Sequence, residues 1–121
     1  MAEKEPTLTV DEIQAHLAEL PGWYLEDGWI RRIYTTDGWP TTLMLVNAIG
    51  YLAEAAYHHP DLSVTWARVT VKLMTHSAGG VTMKDVLLAR QIEATALWRP
   101  DAGSPLGTGT PNSWVRGRDP R

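Results

Sequence analysis

The segment from residue 39 to residue 57 constrains the fold most, because its apolar side chains cover nearly the whole circumference of a helix. A helix of this kind needs burial partners on two sides. One partner is a sheet of the same subunit, but a chain of 121 residues has little left to cover the other side. We therefore expect an oligomer, with a second subunit on that face. The alternative is that the C-terminal segment folds over it.

Two further helices are marked by capping boxes, in which a hydroxyl and an acid three residues later satisfy the exposed amides of a helix start. Thr9 and Glu12 open the first helix, which Pro21-Gly22 ends. Thr82 and Asp85 open the last helix, which runs to about residue 97. For Asp85 this pattern favours a capping role.

Four segments have the β-branched and aromatic content of strands. Residues 23–25 and 29–35 flank an Asp-Gly pair that is typical of a tight hairpin turn, and residues 62–66 and 68–75 form a second pair. The order is α-β-β-α-β-β-α. It predicts an α+β fold, a four-stranded antiparallel sheet with three helices packed on one face.

The last part of the chain differs in composition from the rest. Residues 99–121 are rich in Pro, Gly and Arg and lack an apolar period, which predicts a tail behind a single domain of residues 1–98. The tail is net basic and carries Trp114, so it is a candidate segment for contact with a partner protein. The alternative is a disordered end.

Composition excludes several functional classes. Cysteine is absent, which rules out thiolate catalysis and Cys-ligated metal centres. The net charge of −3 gives no general attraction for nucleic acid or an anionic membrane. The chain lacks a long apolar run and a signal-peptide pattern at its start, so we expect a cytoplasmic protein. Histidine must supply any acid–base chemistry near neutral pH.

Three histidines form the candidate catalytic cluster. Glu54 and His58 are four residues apart and would share a helix face, so the carboxylate is expected to orient that imidazole. Pro60 disfavours helical geometry at His59, and His76 ends a strand before a glycine loop. The alternatives are purely structural histidines or a His₃ zinc site, which adjacent residues would form awkwardly. We expect no metal.

The sequence resembles the pterin-4a-carbinolamine dehydratase family over roughly residues 8–98. The resemblance is carried by the string Glu54-x-x-x-His58-His59-Pro60-Asp61, followed by Trp66-x-x-Val69-x-Val71-x-Leu73-x-Thr75-His76-x-x-Gly79-Gly80-Val81-Thr82-x-x-Asp85. It implies a homodimer or homotetramer without a cofactor. The implied reaction removes water from 4a-hydroxytetrahydropterin to give quinonoid dihydropterin.

By position, the resemblance implies that His58, His59 and His76 are the acid–base and pterin-contacting groups and that Glu54 steadies one of them. The candidate substrate-binding residues are Trp23, Pro60, Asp61, Trp66, Thr75 and Asp85. For the two tryptophans the residues leave two interpretations open, a stacking platform for a flat heterocycle or core filling. Ala55, Trp66 and Ala67 depart from the usual family pattern, which concerns substrate contacts more than the acid–base core.

The resemblance also implies an alternative function. Relatives with this fold include a dimerisation partner of a transcription factor and a ribulose bisphosphate carboxylase assembly factor. A non-catalytic binding protein that assists the assembly or dimerisation of a partner is therefore the second hypothesis.

Overall fold

The computed structural model describes residues 5–107, 109 and 113–119. Three helices alternate with strands along the chain. The helices are α1 (Val10–Leu17), α2 (Trp39–Ala56) and α3 (Met83–Ala96); the strands are β1 (Tyr24–Glu26), β2 (Trp29–Thr36), β3 (Asp61–Thr65), β4 (Arg68–Leu73) and β5 (Val115–Arg118). All strands pair antiparallel in one sheet of order β1-β2-β4-β3, with β5 also paired to β2.

The local signals in the sequence are confirmed. The Thr9 hydroxyl accepts from the Glu12 amide at 3.1 Å while the Glu12 carboxylate accepts from the Thr9 amide at 2.9 Å. The Thr9 amide, and to a lesser extent the Thr9 hydroxyl, lower the pKa of Glu12, because both favour its ionised carboxylate. In the hairpin, Asp27 and Gly28 both have positive φ, 52° and 80°, as a two-residue turn that matches the strand twist requires.

The predicted α+β class is confirmed, and the core lies on one face of the sheet. Alternate residues of β2 and β4, including Ile30, Tyr34 and Val71, are buried. They form one cluster with apolar residues of all three helices: Ile13, Leu17, Leu45, Ile49, Val86, Leu88, Ala89 and Ile92. The opposite face of the two strands carries residues that are half-buried or exposed.

Within the described residues, the sheet has five strands rather than the predicted four. The additional strand, β5, comes from the segment predicted as a tail and continues the edge of β2 beyond β1. Side chains far apart in sequence hold it in place. Arg32 Nη1 donates to the carbonyl of Arg118 at 3.1 Å, and Arg99 Nη2 donates to the carbonyl of Val115 at 2.6 Å.

The Arg32 guanidinium is buried between two glycines and a carboxylate. Its Nε and Nη2 donate to the two oxygens of Glu93 at 3.0 and 3.1 Å, a bidentate pair. A Cβ at Gly22 or Gly117 would lie 1.7 or 1.8 Å from guanidinium nitrogens, so a side chain at either position would displace the guanidinium or the backbone. Tyr34 also donates to Glu93, and burial raises the pKa of its phenol well above the usual range.

The outer side of α2 is uncovered in the single subunit. Leu43, Met44 and Tyr51 are 41%, 52% and 76% exposed. The C-terminal segment covers only part of this helix, where Trp114 and Val115 pack near Leu45. Trp114 thus anchors the segment to its own domain. No described helix has both the length and the apolar run that crossing a membrane requires.

Candidate active site

The end of α2 determines how the histidines are presented. The helix ends at Ala56, and Tyr57 adopts the left-handed conformation with φ 48° and ψ 45°. The amides of Tyr57 and His58 then bond the carbonyls of Glu54 and Ala53, which closes the helix. The chain therefore leaves the helical path one residue before His58.

This early ending makes the expected pairing of Glu54 with His58 wrong. The spacing of four residues places two side chains together only while the helix continues through both. Instead, Glu54 Oε1 lies 2.8 Å from Nε2 of His59. His58 turns inward, and its Nε2 lies 2.6 Å from Asp85 Oδ1 on α3.

Asp85 is the most constrained acid of the site. Its side chain is fully buried, and Oδ2 accepts hydrogen bonds from the Thr75 hydroxyl at 2.8 Å and the Thr82 amide at 2.9 Å. The predicted capping role of Asp85 is confirmed by the Thr82 contact. The other oxygen remains for His58, so one carboxylate both starts a helix and orients an imidazole.

His59 lies in solvent. Its side chain is 53% exposed and that of Glu54 is 74% exposed. An ion pair this open to water and salt stabilises the fold little. The edge of the His59 ring also meets the ring of Tyr57, with centroids 5.5 Å apart. These contacts orient the ring.

His76 follows the end of β4 and is exposed. Its ring packs edge-on against Trp29, with centroids 5.4 Å apart, and Lys72 Nζ lies 4.6 Å from the centroid of the same indole. Trp29 is not among the residues that the sequence predicted for the site. Its place beside His76 follows from the pairing of β2 with β4, which local patterns in the sequence do not specify.

Thr75 connects the half-buried His58 with the exposed His76. Its hydroxyl binds Asp85, the partner of His58, and the next residue is His76. His58 and His76 therefore lie near the same end of the sheet, although each ring has its own immediate partner. Within the described part of the chain, no three His, Asp or Glu side chains converge as metal ligands.

A groove between α2 and α3 leads to His58. It has a volume of about 420 Å³ and is mainly apolar. The lining residues are Leu52, Ala55, Ala56, His58, Lys84, Leu87, Leu88 and Gln91. His59 and His76 do not line it. This groove is large enough for a flat bicyclic ring with a substituent.

Of the remaining candidate residues, Pro60 and Asp61 lie next to the histidines, whereas the two tryptophans lie elsewhere in the subunit. Pro60 and Asp61 follow His59 directly, at the start of β3. Trp23 is buried in the core, where its Nε1 donates to Glu93 at 3.0 Å, so it fills volume. Trp66 is 68% exposed, but it lies beside Gly38 at the start of α2. The length of α2, about 27 Å, separates it from His58 of the same subunit.

A single antiparallel sheet backed by three helices, with histidines after α2 and β4, defines an α+β fold of the pterin dehydratase type. A family model described as pterin 4 alpha carbinolamine dehydratase matches residues 6–95. The chain belongs to this family. The match ends before β5, so the fifth strand lies outside the shared region.

Individual relatives agree with this membership. A protein of Aquifex aeolicus provisionally named a pterin-4-alpha-carbinolamine dehydratase is 45% identical over 86 residues, which is 71% of this chain and 87% of the relative. A solved transcriptional coactivator/pterin dehydratase from Brucella melitensis is 33% identical with a TM-score of 0.69, covering 73% of this chain and 96% of its own.

A second solved structure shares the fold at lower identity. It is a pterin dehydratase-like protein identified as a RuBisCO assembly factor in the alpha-carboxysome. It is 15% identical with a TM-score of 0.52, covering 64% of this chain and 89% of its own. At this identity the likeness concerns the fold alone.

Proposed function

We propose that the protein is a hydro-lyase that removes water from 4a-hydroxytetrahydropterin to give quinonoid dihydropterin. The observation that carries the proposal is the buried Asp85 carboxylate on Nε2 of His58, fixed from behind by Thr75 and Thr82. An imidazole oriented by a buried carboxylate is an arrangement suited to general acid–base catalysis. Membership of the dehydratase family supports the same reaction.

The contacts suggest a role for His58. With Asp85 ionised, the proton of a neutral imidazole lies on Nε2, where it is donated to the carboxylate. Nδ1 is then the lone-pair nitrogen, so His58 is the base that takes the N5 proton of the pterin. The N5–H electrons form the C4a=N5 bond as the C4a–O bond breaks.

The departing hydroxyl needs a proton to leave as water. His76, which is exposed beside the indole of Trp29, supplies this proton in our proposal, and His59 contacts the pterin. Thr75 acts through Asp85, and Pro60 and Asp61 border the substrate next to His59. No metal or organic cofactor takes part.

The proposal is tested by following the dehydration of freshly generated 4a-hydroxytetrahydropterin. His58→Ala and His76→Ala are each expected to lower turnover about 10²–10⁴-fold, because each removes a proton-transfer group. His16→Ala is the matched control, since His16 lies on α1 beside Arg90 and outside the cluster. Wild-type rates in both cluster variants, or an inactive wild type, would contradict the proposal.

We also propose that a second copy of the chain covers the exposed stripe of α2, in a homodimer or homotetramer. The stripe is apolar at Leu43, Met44 and Tyr51, and a soluble single subunit would leave these side chains in water. The described part of the C-terminal segment covers the stripe only at its border: Trp114 and Val115 line a pocket with Met44, yet Met44 stays 52% exposed.

One observation favours a second function, a binding protein that assists the assembly of a partner. The register places Arg68, Arg116 and Arg118 on the helix-free face of the sheet, where all three are exposed. Two of them belong to β5, which extends beyond the family match. A wild type without turnover that binds a partner through residues 113–119 would favour this function over dehydration.

A further inference from the structure

The position of Trp66 is unexplained by the single subunit. Its ring is largely exposed, and its backbone carbonyl accepts from the Thr42 hydroxyl at 2.8 Å, which fixes the turn after β3 to the first turn of α2. Within its own subunit Trp66 lies the length of α2 away from His58. A contact with a second subunit would remove this large apolar ring from water.

The strand before Trp66 is an unprotected edge. Among the described strands, β3 pairs only with β4, so its outer side presents free backbone donors and acceptors. Ser63, Val64 and Thr65 are exposed, and Val64 is 38% exposed as an apolar residue. The strand contains no Lys, Pro or bulge that would discourage pairing.

A second copy of β3 fits this edge. An antiparallel two-fold pairing centred on Ser63 places Asp61 opposite Thr65 of the other copy, and Pro60 opposite its Trp66. In this pairing, the start of β3 in each copy lies beside the end of β3 in the other copy. Trp66 of one copy therefore lies beside the histidines that precede β3 in the other copy.

Trp66 and His58 also lie on the same face of the sheet. Leu62 pairs with buried Val71, so the even-numbered residues of β3 face the helices. Trp66 lies on this side, against Gly38 at the start of α2, and His58 lies on it too, against Asp85 of α3. An indole delivered across the two-fold axis therefore reaches the layer that contains the proposed catalytic imidazole.

We propose that the active site is shared: two copies pair through β3, and the indole of Trp66 from one copy forms a wall of the pterin site of the other. The proposal rests on the dehydratase function proposed above. The partner's ring supplies a flat apolar surface for the pterin, which Trp23 cannot supply because it is buried. Each subunit alone then holds the acid–base groups without this wall.

Mixing two variants tests the shared site. Trp66→Ala is expected to lower turnover about tenfold or more through lost stacking, and His58→Ala to abolish it. In the mixed pair, the intact His58 of one copy meets the intact Trp66 of the other. Refolding an equimolar mixture is therefore expected to restore about a quarter of wild-type turnover, since half of the pairs are mixed and each holds one complete site. Activity no higher than the mean of the two variants would overturn the proposal.

A second measurement is independent of activity. The chain has no cysteine, so Ser63→Cys introduces the sole thiol. Residues facing each other across an antiparallel pair lie about 4.5–5.5 Å apart at Cα, within the range that a disulfide bridges. Oxidation is expected to give a covalent dimer. The control Thr70→Cys, on the neighbouring strand inside the sheet, is expected to stay monomeric on a denaturing gel. Failure of Ser63→Cys to cross-link would overturn the pairing even if the enzyme is active.

Discussion

At the scale of single residues, the site depends on which carboxylate meets which imidazole. The spacing of Glu54 and His58 predicted their pairing. Because Tyr57 adopts the left-handed conformation, Glu54 contacts His59 instead. The sequence carries a signal for this change in Pro60, which favours an early end of the helix. It carries no signal for the long-range contact of His58 with Asp85, because the two are 27 residues apart.

Asp85→Asn tests the positioning role of the buried carboxylate. Asparagine keeps the size and an oxygen acceptor for the cap but removes the charge that orients His58. We expect kcat to fall about 10²-fold with KM little changed and with an altered pH profile of kcat, because the proton-transfer step alone is affected. Steady-state kinetics across pH provide the measurement.

The matched control is Glu12→Gln. Glu12 occupies the same position in the other capping box, and its carboxylate accepts from the Thr9 amide rather than holding a histidine of the cluster. This change is therefore expected to weaken a helix start without lowering kcat. A similar loss of kcat in both variants would show that Asp85 acts through stability alone.

At the scale of elements, the sequence predicted those helices and turns whose signals lie in neighbouring residues. The capping residues Thr9 and Thr82 and the Asp27-Gly28 turn act on their own neighbours, and their helices and hairpin were predicted correctly. The fifth strand has only four residues, and Arg32 and Arg99 hold it from distant positions. No local pattern reveals such a strand, since its pairing depends on contacts made after the sheet forms.

Gly117→Ala tests how β5 is attached. A methyl group there would lie 1.8 Å from Arg32 Nη2, so either the guanidinium or the strand must move. We expect a loss of about 1–3 kcal/mol in the free energy of unfolding, measured with urea. Gly109→Ala is the control, because among the described residues no heavy atom beyond its own residue and chain neighbours lies within 4 Å of its Cβ position. Equal midpoints for the two variants would contradict the described contact.

At the scale of the whole molecule, two uncovered surfaces point to assembly. The outer stripe of α2 follows from the apolar composition of residues 39–57, and the sequence predicted it without the structure. The edge of β3 could not be predicted in this way, because an edge is a property of strand order. Pairing through both surfaces gives a closed homotetramer, whereas either one alone gives a dimer.

Met44→Glu tests the helical surface. A charge in the middle of the stripe is expected to separate the copies that meet through α2, because it would be buried without a partner. Light scattering after gel filtration should show the mass falling by half. Val10→Glu, at a somewhat more exposed apolar position on α1, should keep the wild-type mass. A wild type with the mass of one chain would contradict the covered stripe.

The buried guanidinium of Arg32 has a consequence for where the domain stops. One of its N–H groups is satisfied by the carbonyl of Arg118, near the carboxyl terminus of the chain. Ending the chain at residue 95, where the family match ends, would remove that acceptor and expose the β2 edge that pairs with β5. Residues 115–118 therefore shield and neutralise part of a buried cation, and a protein shortened before them would be a poor substitute in any measurement of stability.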